Sequence, residues 1–486
     1  MTPRIRTLAA TGIALLLGGC AVGPNFHAPA APAQTAYDHD DKVAMPAPAG
    51  IAGGTQHWVE GAPHDGWWHA YGSAALDTLI DEALKANTDL AAARAALKVA
   101  HENWQATRGI LVPNVDAGLG TTRARSSQYL SPVLNASQFT YSLQTAQVNV
   151  GYSLDVFGLN RRTVEQARAQ YDVQAFQTEA ARISLINNVA AAAFQEASLR
   201  AQLAAQDRMI AIQRETLGIL KHQQDVGQAA GADVLAQEAA LAQAEAALPP
   251  LRRAAAQARD LIAYLTGRSA ANALPDTIDL NAITLPADLP LSLPSELVRQ
   301  RPDIRAAEAN LHVASAGVGI AIANRLPQVT LSASAGGSAP GWSSLLSASN
   351  AFWSLGAGLT QPIFAGGALL HRERGARAAY EQADAQYRST VLGAFQNVAD
   401  TLAALRTDAE ALTTAVHARD AAAASQAVAR RQFEQGQIPF SGVLTAETAL
   451  RQAEQALVQA QVARLTDTAA LFQALGGGWT EVTPKR

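Results

Sequence analysis

Residues 148–156 read VNVGYSLDV, and this stretch of alternating character decides the fold. Every second residue is apolar: Val148, Val150, Tyr152, Leu154 and Val156. Polar residues and one glycine lie between them. Such alternation predicts a β-strand with one apolar and one polar face. Residues 353–360 (WSLGAGLT) alternate in the same way, and shorter partner strands are expected near 113–124 and 327–336.

The two alternating stretches belong to an internal repeat whose offset is slightly above 200 residues. Early in each half, Asp89-Leu90 matches Asp303-Ile304. Further matching pairs are Pro113 and Pro327, Gly227-Gln228 and Gly436-Gln437, Val234-Leu235 and Val443-Leu444, and Gln243-Ala244-Glu245 and Gln452-Ala453-Glu454. Agreement over so many positions indicates a duplicated gene.

Each half is predicted to have the same order of elements. An amphipathic helix (about 74–111 or 295–325) precedes the strand pair, and a proline-free helix (about 160–226 or 369–435) follows it. At 1.5 Å per residue, such a helix reaches roughly 100 Å. A glycine-containing turn then leads to a returning helix, about 232–266 or 441–474. Pro249-Pro250 is expected to kink the first returning helix.

The composition favours long, tightly packed helices and excludes several functional classes. Alanine makes up about 22% of the chain, charged residues 16% and aromatic residues 6%. The net charge of −4 gives no electrostatic support for a nucleic-acid partner. One cysteine excludes intrachain disulfides and cysteine-based zinc sites. We find no phosphate-binding glycine loop, no zinc-protease motif and no other catalytic or metal constellation, so neither an enzyme nor a cofactor is predicted.

The N-terminus has the pattern of an export signal. Arg4 and Arg6 precede a short apolar stretch, which ends at Leu17-Gly18-Gly19-Cys20. This ending resembles a bacterial lipobox, which predicts cleavage before Cys20 and lipidation of its thiol. Ordinary cleavage beside a chance cysteine is the alternative. The Ala/Pro-rich stretch Pro24–Pro48 is typical of an extended tether, and no later stretch has 18 consecutive apolar residues.

The four predicted strands per chain leave two sheet edges open. Four strands are too few to close a barrel. If the apolar face meets lipid, the sheet must close, because unpaired backbone groups are not tolerated in hydrocarbon. Several chains would then share one barrel. A water-soluble sheet that packs its apolar face on a helix is the alternative.

Nearly the whole mature chain resembles the TolC-like outer-membrane efflux factors, in their lipoprotein (NodT-type) branch. The N-terminal features are Cys20 followed by Gly23-Pro24, and Trp67-Trp68 before Leu76. The most specific segment is residues 301–308, RPDIRAAE. Residues 361–364 (QPIF) before Gly366-Gly367, and the ending LGGGW at 475–479, complete the set.

The resemblance implies a mostly α fold with a small β part. Three chains would form one helical periplasmic barrel and share a 12-stranded transmembrane β-barrel, with four strands per chain. The implied function is the passive outer-membrane channel of a tripartite efflux pump for small toxic compounds. Its partners would be a periplasmic adaptor, an inner-membrane transporter and the lipid of a Gram-negative outer membrane.

The expected division of the chain follows the repeat and the resemblance. It comprises a signal peptide (1–19), a lipidated tether (20–65), a first TolC-like repeat (66–270), a linker (271–294), a second repeat (295–478) and a C-terminal tail (479–486).

The turns between the long and returning helices are the candidate working sites. By resemblance they meet the adaptor, and the residues concerned are Gly227, Gln228, Gly231, Asp233, Gly436, Gln437 and Pro439. The alternative is that they only reverse the chain. Family members usually place a carboxylate and an arginine at a constriction after the second turn. The matching positions here are Thr445 and Thr448, with Ser441 one turn earlier, so the charged constriction is missing.

Two other functions fit parts of the sequence. A coiled-coil structural lipoprotein without a pore needs the helices and the lipid, but not the duplicated strand pairs. A duct for secreted proteins would have the same fold.

Overall fold

A computed structural model describes residues 21–34, 36–37, 45–50, 52–127, 140–272 and 278–479. The signal peptide, Cys20 and all but the first residue of the tail lie outside these residues. Two compact units are distinguished. Unit 1 contains the segment up to Pro29, Ala96–Ala175 and Ala306–Arg388, and unit 2 contains Ala30–Ala95, Phe176–Arg305 and the chain from Ser389 onward.

Long helices dominate the described chain. In order, the elements are β1 (His57–Glu60), α1 (Ala74–Ala86), α2 (Thr88–Arg108), β2 (Asn114–Arg125), β3 (Thr140–Leu154), α3 (Leu159–Asp225), α4 (Gly231–Ala246), α5 (Leu248–Leu265), β4 (Asp288–Leu291), α6 (Pro294–Gln300), α7 (Pro302–Ala323), β5 (Gln328–Ala339), β6 (Ala351–Thr360), α8 (Ala368–Glu434) and α9 (Phe440–Ala474).

The principal elements match the sequence prediction. The four expected strands are β2, β3, β5 and β6, and the bounds of α3 and α8 lie within one residue of those expected. The first returning helix is interrupted at Ala247, and Pro249 lies in the first turn of α5, where its missing N–H costs no helical bond. Among the described residues, α7 is the helix long and apolar enough to cross a membrane by length and composition.

The first helix of each half was expected to be continuous, and this expectation is wrong. It divides at Asn87 in the first half and at Arg301 in the second. Asn87 accepts a hydrogen bond from the backbone N–H of Leu90 (2.8 Å), so its side chain caps the start of α2. Arg301 precedes a proline, which disfavours helical backbone at the residue before it.

At each break, the side chain of the interrupting residue also donates a hydrogen bond to the end of the last helix in the same half. Asn87 Nδ2 donates to the Leu265 carbonyl (3.0 Å), and Arg301 Nη1 donates to the Ala474 carbonyl (2.7 Å). The two halves therefore use different side chains for the same connection.

The four-stranded sheet lies in unit 1 and has the order β2-β3-β5-β6, with antiparallel neighbours throughout. Val148 is opposite Ala335, and Ala335 is opposite Trp353. Directly opposed residues share a face, so the apolar positions of all four strands lie on one side. Within the described chain, no strand pairs with the outer edge of β2 or of β6.

In unit 2, the N-terminal segment is bound along the helices. The fully buried Arg464 donates hydrogen bonds to the carbonyls of Ala52 (2.9 Å), Gly54 (2.9 Å) and Met45 (3.4 Å). Beyond this point, β1 pairs with β4 in a parallel ribbon. In this described part, the segment expected as a tether is held by specific contacts, and it turns where the Gly54 N–H donates to the Pro48 carbonyl (3.0 Å).

Candidate functional site

One face of the sheet exposes large apolar side chains. On the edge strands, Leu119 is 77% exposed, Trp353 75% and Leu355 76%. A contiguous apolar face of this kind is rare on a soluble monomer. It is the face expected to contact lipid or another protein.

The opposite face of the same sheet is polar. Ser334 Oγ lies 2.8 Å from Ser354 Oγ on the neighbouring strand, and Thr145 Oγ1 lies 3.4 Å from Ser338 Oγ. The sheet thus has one side suited to hydrocarbon and one suited to water, as the alternation predicted.

The two helix turns, termed tip 1 (Gly227–Asp233) and tip 2 (Gly436–Ser441), have the same backbone geometry. Gly227 has φ 77° and Gly436 has φ 70°, the left-handed region that glycine adopts without strain. The next residue in each tip, Gln228 or Gln437, donates its N–H to a carbonyl five residues earlier, at 2.7 and 2.8 Å respectively. This is the Schellman arrangement, which bonds the last carbonyls of a helix.

Most of the predicted tip residues face solvent in the single chain. Gly227, Gln228, Gly436, Gln437 and Pro439 are exposed. The other two, Gly231 and Asp233, are half-buried in the first turn of α4. The aspartate there is favourable because a helix N-terminus attracts negative charge.

A hydrophobic cluster beneath the tips joins the two helical hairpins. It consists of Leu220, Val234, Phe440 and Val443, with Phe433 packed against it. The rings of Phe433 and Phe440 have centroids 5.2 Å apart. No sequence pattern marks these residues as one cluster, although Val234 and Val443 are a matched pair of the repeat. The cluster fixes one tip against the other.

The predicted constriction residues share one exposed face of α9. Ser441, Thr445 and Thr448 are exposed, and each threonine hydroxyl donates to a carbonyl of its own helix. Glu447 lies on another face of the helix and is buried. Burial raises the pKa of the Glu447 carboxyl above its ordinary value, against the opposing influence of Arg430 and Gln426. The exposed face is therefore neutral and rich in hydroxyl groups.

An acidic pair in unit 2 was not predicted. The Asp408 carboxyl on α8 lies against that of Asp467 on α9, near the guanidinium of Arg464. Burial and the neighbouring Asp467 raise the pKa of Asp408 to about 7. The two aspartates are 59 residues apart in sequence and follow no motif, so only the packing of α8 on α9 reveals them. In the described part of the chain, no three His, Cys, Asp or Glu side chains are grouped to hold a metal ion.

Comparison with known proteins agrees with this architecture. The family model described as outer membrane efflux protein matches residues 79–268 and 293–477. The antibiotic efflux pump outer membrane protein ArpC of Pseudomonas putida is 29% identical over 489 aligned positions, which cover 99% of this chain and 97% of ArpC.

Solved channel structures are similar over nearly the whole chain. The outer-membrane channel OprN has a TM-score of 0.85 and 28% identity, covering 95% of this chain and 100% of OprN. The open state of the MtrE channel of Neisseria gonorrhoeae has a TM-score of 0.81 and 26% identity, covering 94% and 98% respectively. These findings confirm the TolC-like fold, the outer-membrane location and the resemblance drawn from the sequence.

Proposed function

The chain belongs to the outer membrane efflux protein family, and we propose that three copies form one closed outer-membrane channel. The observation that carries this proposal is the sheet with an apolar face and two unpaired edges, β2 and β6. A lipid-exposed edge is not tolerated in hydrocarbon. Pairing β6 of one copy with β2 of the next satisfies both edges, and three sheets of four strands give a barrel of twelve.

The channel conducts passively as the exit of a tripartite pump. An inner-membrane transporter supplies the energy and a periplasmic adaptor bridges the two membranes. Small toxic compounds are the proposed cargo. The names of relatives support this class, since ArpC is called an antibiotic efflux protein and TtgC a toluene efflux protein.

Tips 1 and 2 are proposed as the adaptor-docking end of the channel. Support comes from their exposed, glycine-turned backbones and from the apolar cluster that holds them in a fixed relation. The hydroxyl face of α9 (Ser441, Thr445 and Thr448) is proposed to line the narrowest part of the pore. Its neutrality implies closure by packing of small side chains and not by ion pairs.

Lipidation at Cys20 is proposed to anchor each copy in the periplasmic leaflet. The proposed division of the chain is that derived from the sequence: 1–19, 20–65, 66–270, 271–294, 295–478 and 479–486. The two segments matched by the family model support the placing of the two repeats.

The first test combines shape and conductance. Lipidated protein, purified from outer membrane in mild detergent, is imaged by single-particle electron microscopy and inserted in planar bilayers. A hollow particle with three-fold symmetry that conducts ions is expected. A solid rod or a monomer without conductance would overturn the proposal and favour a coiled-coil structural lipoprotein.

The cargo is tested in cells. A deletion strain should become more susceptible to antibiotics and solvents, and expression of the wild-type gene should restore resistance. Loss of a secreted protein from the medium, with susceptibility unchanged, would instead identify a protein-secretion duct.

Adaptor docking is tested by cross-linking. Gln228→Cys and Gln437→Cys are suitable because the native cysteine is predicted to be blocked by lipid. Cross-links to a periplasmic adaptor are expected from both variants, and none from Thr407→Cys, an exposed position on α8 away from the tips. Equal cross-linking from all three would contradict docking at the tips.

A further inference from the structure

The six residues after the predicted lipidation site lie in a defined cradle. These residues, 21–26 (AVGPNF), include Gly23-Pro24, one of the features shared with the lipoprotein branch of the family. The cradle is formed by residues 157–165, where the chain passes from β3 into α3, and by residues 312–319 of α7. All of these residues belong to unit 1.

Two glycines allow the segment to approach the cradle at backbone distance. Gly23 has φ 90°, and a Cβ on it would lie 2.5 Å from the Cα of Gly319. A Cβ on Gly158 would lie 2.6 Å from the Cα of Ala21. Side chains are not accommodated at such distances, so the fit requires glycine on both the segment and the cradle.

The Arg162 side chain donates hydrogen bonds to two backbone carbonyls of the segment and to one of its side chains. Its Nε donates to the Val22 carbonyl (3.1 Å), and its Nη2 donates to Asn25 Oδ1 (2.8 Å) and to the Gly23 carbonyl (3.4 Å). The Arg162 side chain is only 5% exposed. In return, the Val22 N–H donates to the Phe157 carbonyl (3.0 Å).

A second set of contacts holds the end of the segment. The Phe26 ring stacks on the His312 ring, with centroids 4.3 Å apart and planes inclined by 9°. His312 Nε2 lies 2.8 Å from Glu165 Oε1, and Glu165 Oε2 accepts from Arg162 Nη1 at 2.7 Å. The stacked ring and the arginine are thus connected through one carboxylate.

We propose that this cradle is a binding site for the chain's own extended peptide 21–26, and that it determines where the lipid on Cys20 enters the membrane. Ala21, the neighbour of Cys20, packs on Gly158 four residues after β3 ends. The chain next to the anchor is then held by the protein itself, where β3 leads into α3. The lipid part of this inference rests on the lipidation proposed above.

The test uses the full-length protein in mild detergent. Amide hydrogen exchange at Val22 and chymotrypsin cleavage after Phe26 report on the bound segment. Gly23→Ala should accelerate both by about tenfold or more, because the bound state is lost. Gly50→Ala is the matched control, since Gly50 has φ 129° with no atom within 4 Å of an added Cβ. It should leave both rates unchanged.

A second pair of variants addresses the cradle side. Arg162→Met should also accelerate exchange at Val22, whereas Gly317→Ala, two residues before Gly319, should not, because its Cβ meets only the flexible Gln166 amide at 3.3 Å. Phe26→Ala removes the ring that stacks on His312 and leaves every residue of the cradle unchanged. If exchange at Val22 is unchanged in Gly23→Ala and Phe26→Ala, the cradle does not bind the segment.

A Cys20→Ser variant separates this inference from lipidation. Protection of Val22 that persists in Cys20→Ser supports the cradle as the element that holds the segment. Protection that disappears shows that the lipid holds it, and overturns the inference. A wild-type chain that carries no lipid would contradict the proposed anchor, while Val22 protection would still report on the cradle.

Discussion

The carboxyl group of Asp408 on α8 lies against that of Asp467 on α9, close enough for each charge to act on the other. Two neighbouring carboxylates repel each other when both are charged, and burial also disfavours the charged form, so one of them tends to keep its proton. Asp408 Oδ2 is buried, and no N–H donor of the described residues reaches it. Arg464, the nearby cation, directs its guanidinium Nη groups to backbone carbonyls of the N-terminal segment. The pair therefore retains its proton close to neutral pH.

The pair predicts a pH-dependent stability. The pKa of Asp408 is about 7 in the folded protein and near 3.8 for the ordinary carboxyl, so the folded state binds the proton more tightly. The contribution of this group to stability is then greatest below about pH 4, falls as the pH rises towards 7, and is constant above it. Asp408→Asn should remove this dependence and raise the melting temperature at pH 8. Melting curves from pH 5 to 8 check this, and parallel curves for both proteins would contradict it.

Gly476 and Gly267 should each be irreplaceable at the helix breaks. A Cβ on Gly476 would lie 2.3 Å from the Gln300 carbonyl oxygen, and one on Gly267 would lie 2.2 Å from that of Ala86. Both glycines also have positive φ. Gly476→Ala should cost about 1–3 kcal/mol from the backbone alone. Gly393→Ala, in the open interior of α8, should be neutral or slightly stabilising. Equal denaturant midpoints would argue against the contact.

Arg464 should hold the N-terminal segment of unit 2. Arg464→Met leaves the carbonyls of Ala52 and Gly54 without this donor, at about 1–3 kcal/mol for each buried group that stays unbonded. We expect a lower melting temperature and faster amide exchange in residues 52–56. The control is Arg388→Met, whose arginine is 74% exposed and pairs with Asp384 at the surface. Such pairs contribute about 0–1 kcal/mol, so an effect as large as that of Arg464→Met would disprove the assignment.

Phe440 should stabilise the folded structure of both tips. Its side chain is buried in the cluster with Leu220 and Val234, which belong to the other hairpin. Phe440→Ala should cost about 3–5 kcal/mol locally. Hydrogen exchange should rise in tip 1 as well as in tip 2, while Phe440→Leu should cause a smaller change. Faster exchange confined to tip 2 would show that the hairpins are independent.

Thr445 tests the proposed pore lining. A charged methanethiosulfonate reagent on Thr445→Cys should lower single-channel conductance roughly twofold or more, because charge and bulk would enter the narrowest ring of the pore. An uncharged reagent of the same volume should have a smaller effect. Thr407→Cys provides the control for modification elsewhere. If modification of Thr445→Cys leaves the conductance unchanged, other residues form the constriction.

The strands and long helices were predictable because their signals are local and repeated. Alternation at 148–156 and 353–360 predicts two strands without knowledge of the rest of the chain. The breaks at Asn87 and Arg301 were not predicted, although a proline follows Arg301. Each break is stabilised by a contact with a helix end more than 170 residues later in the sequence, at Leu265 or Ala474. Helical periodicity carries no information about such partners.

The sequence by itself determined the duplicated pattern, the apolar sheet face and the glycine turns of both tips, because each depends on neighbouring residues only. Tertiary structure alone decided which distant groups meet: Asp408 with Asp467, Arg464 with the carbonyls of the N-terminal segment, and Gly23 with Gly319. These contacts depend on the register of one helix against another. That register is fixed by the sum of many small packing interactions and is not encoded in any short motif.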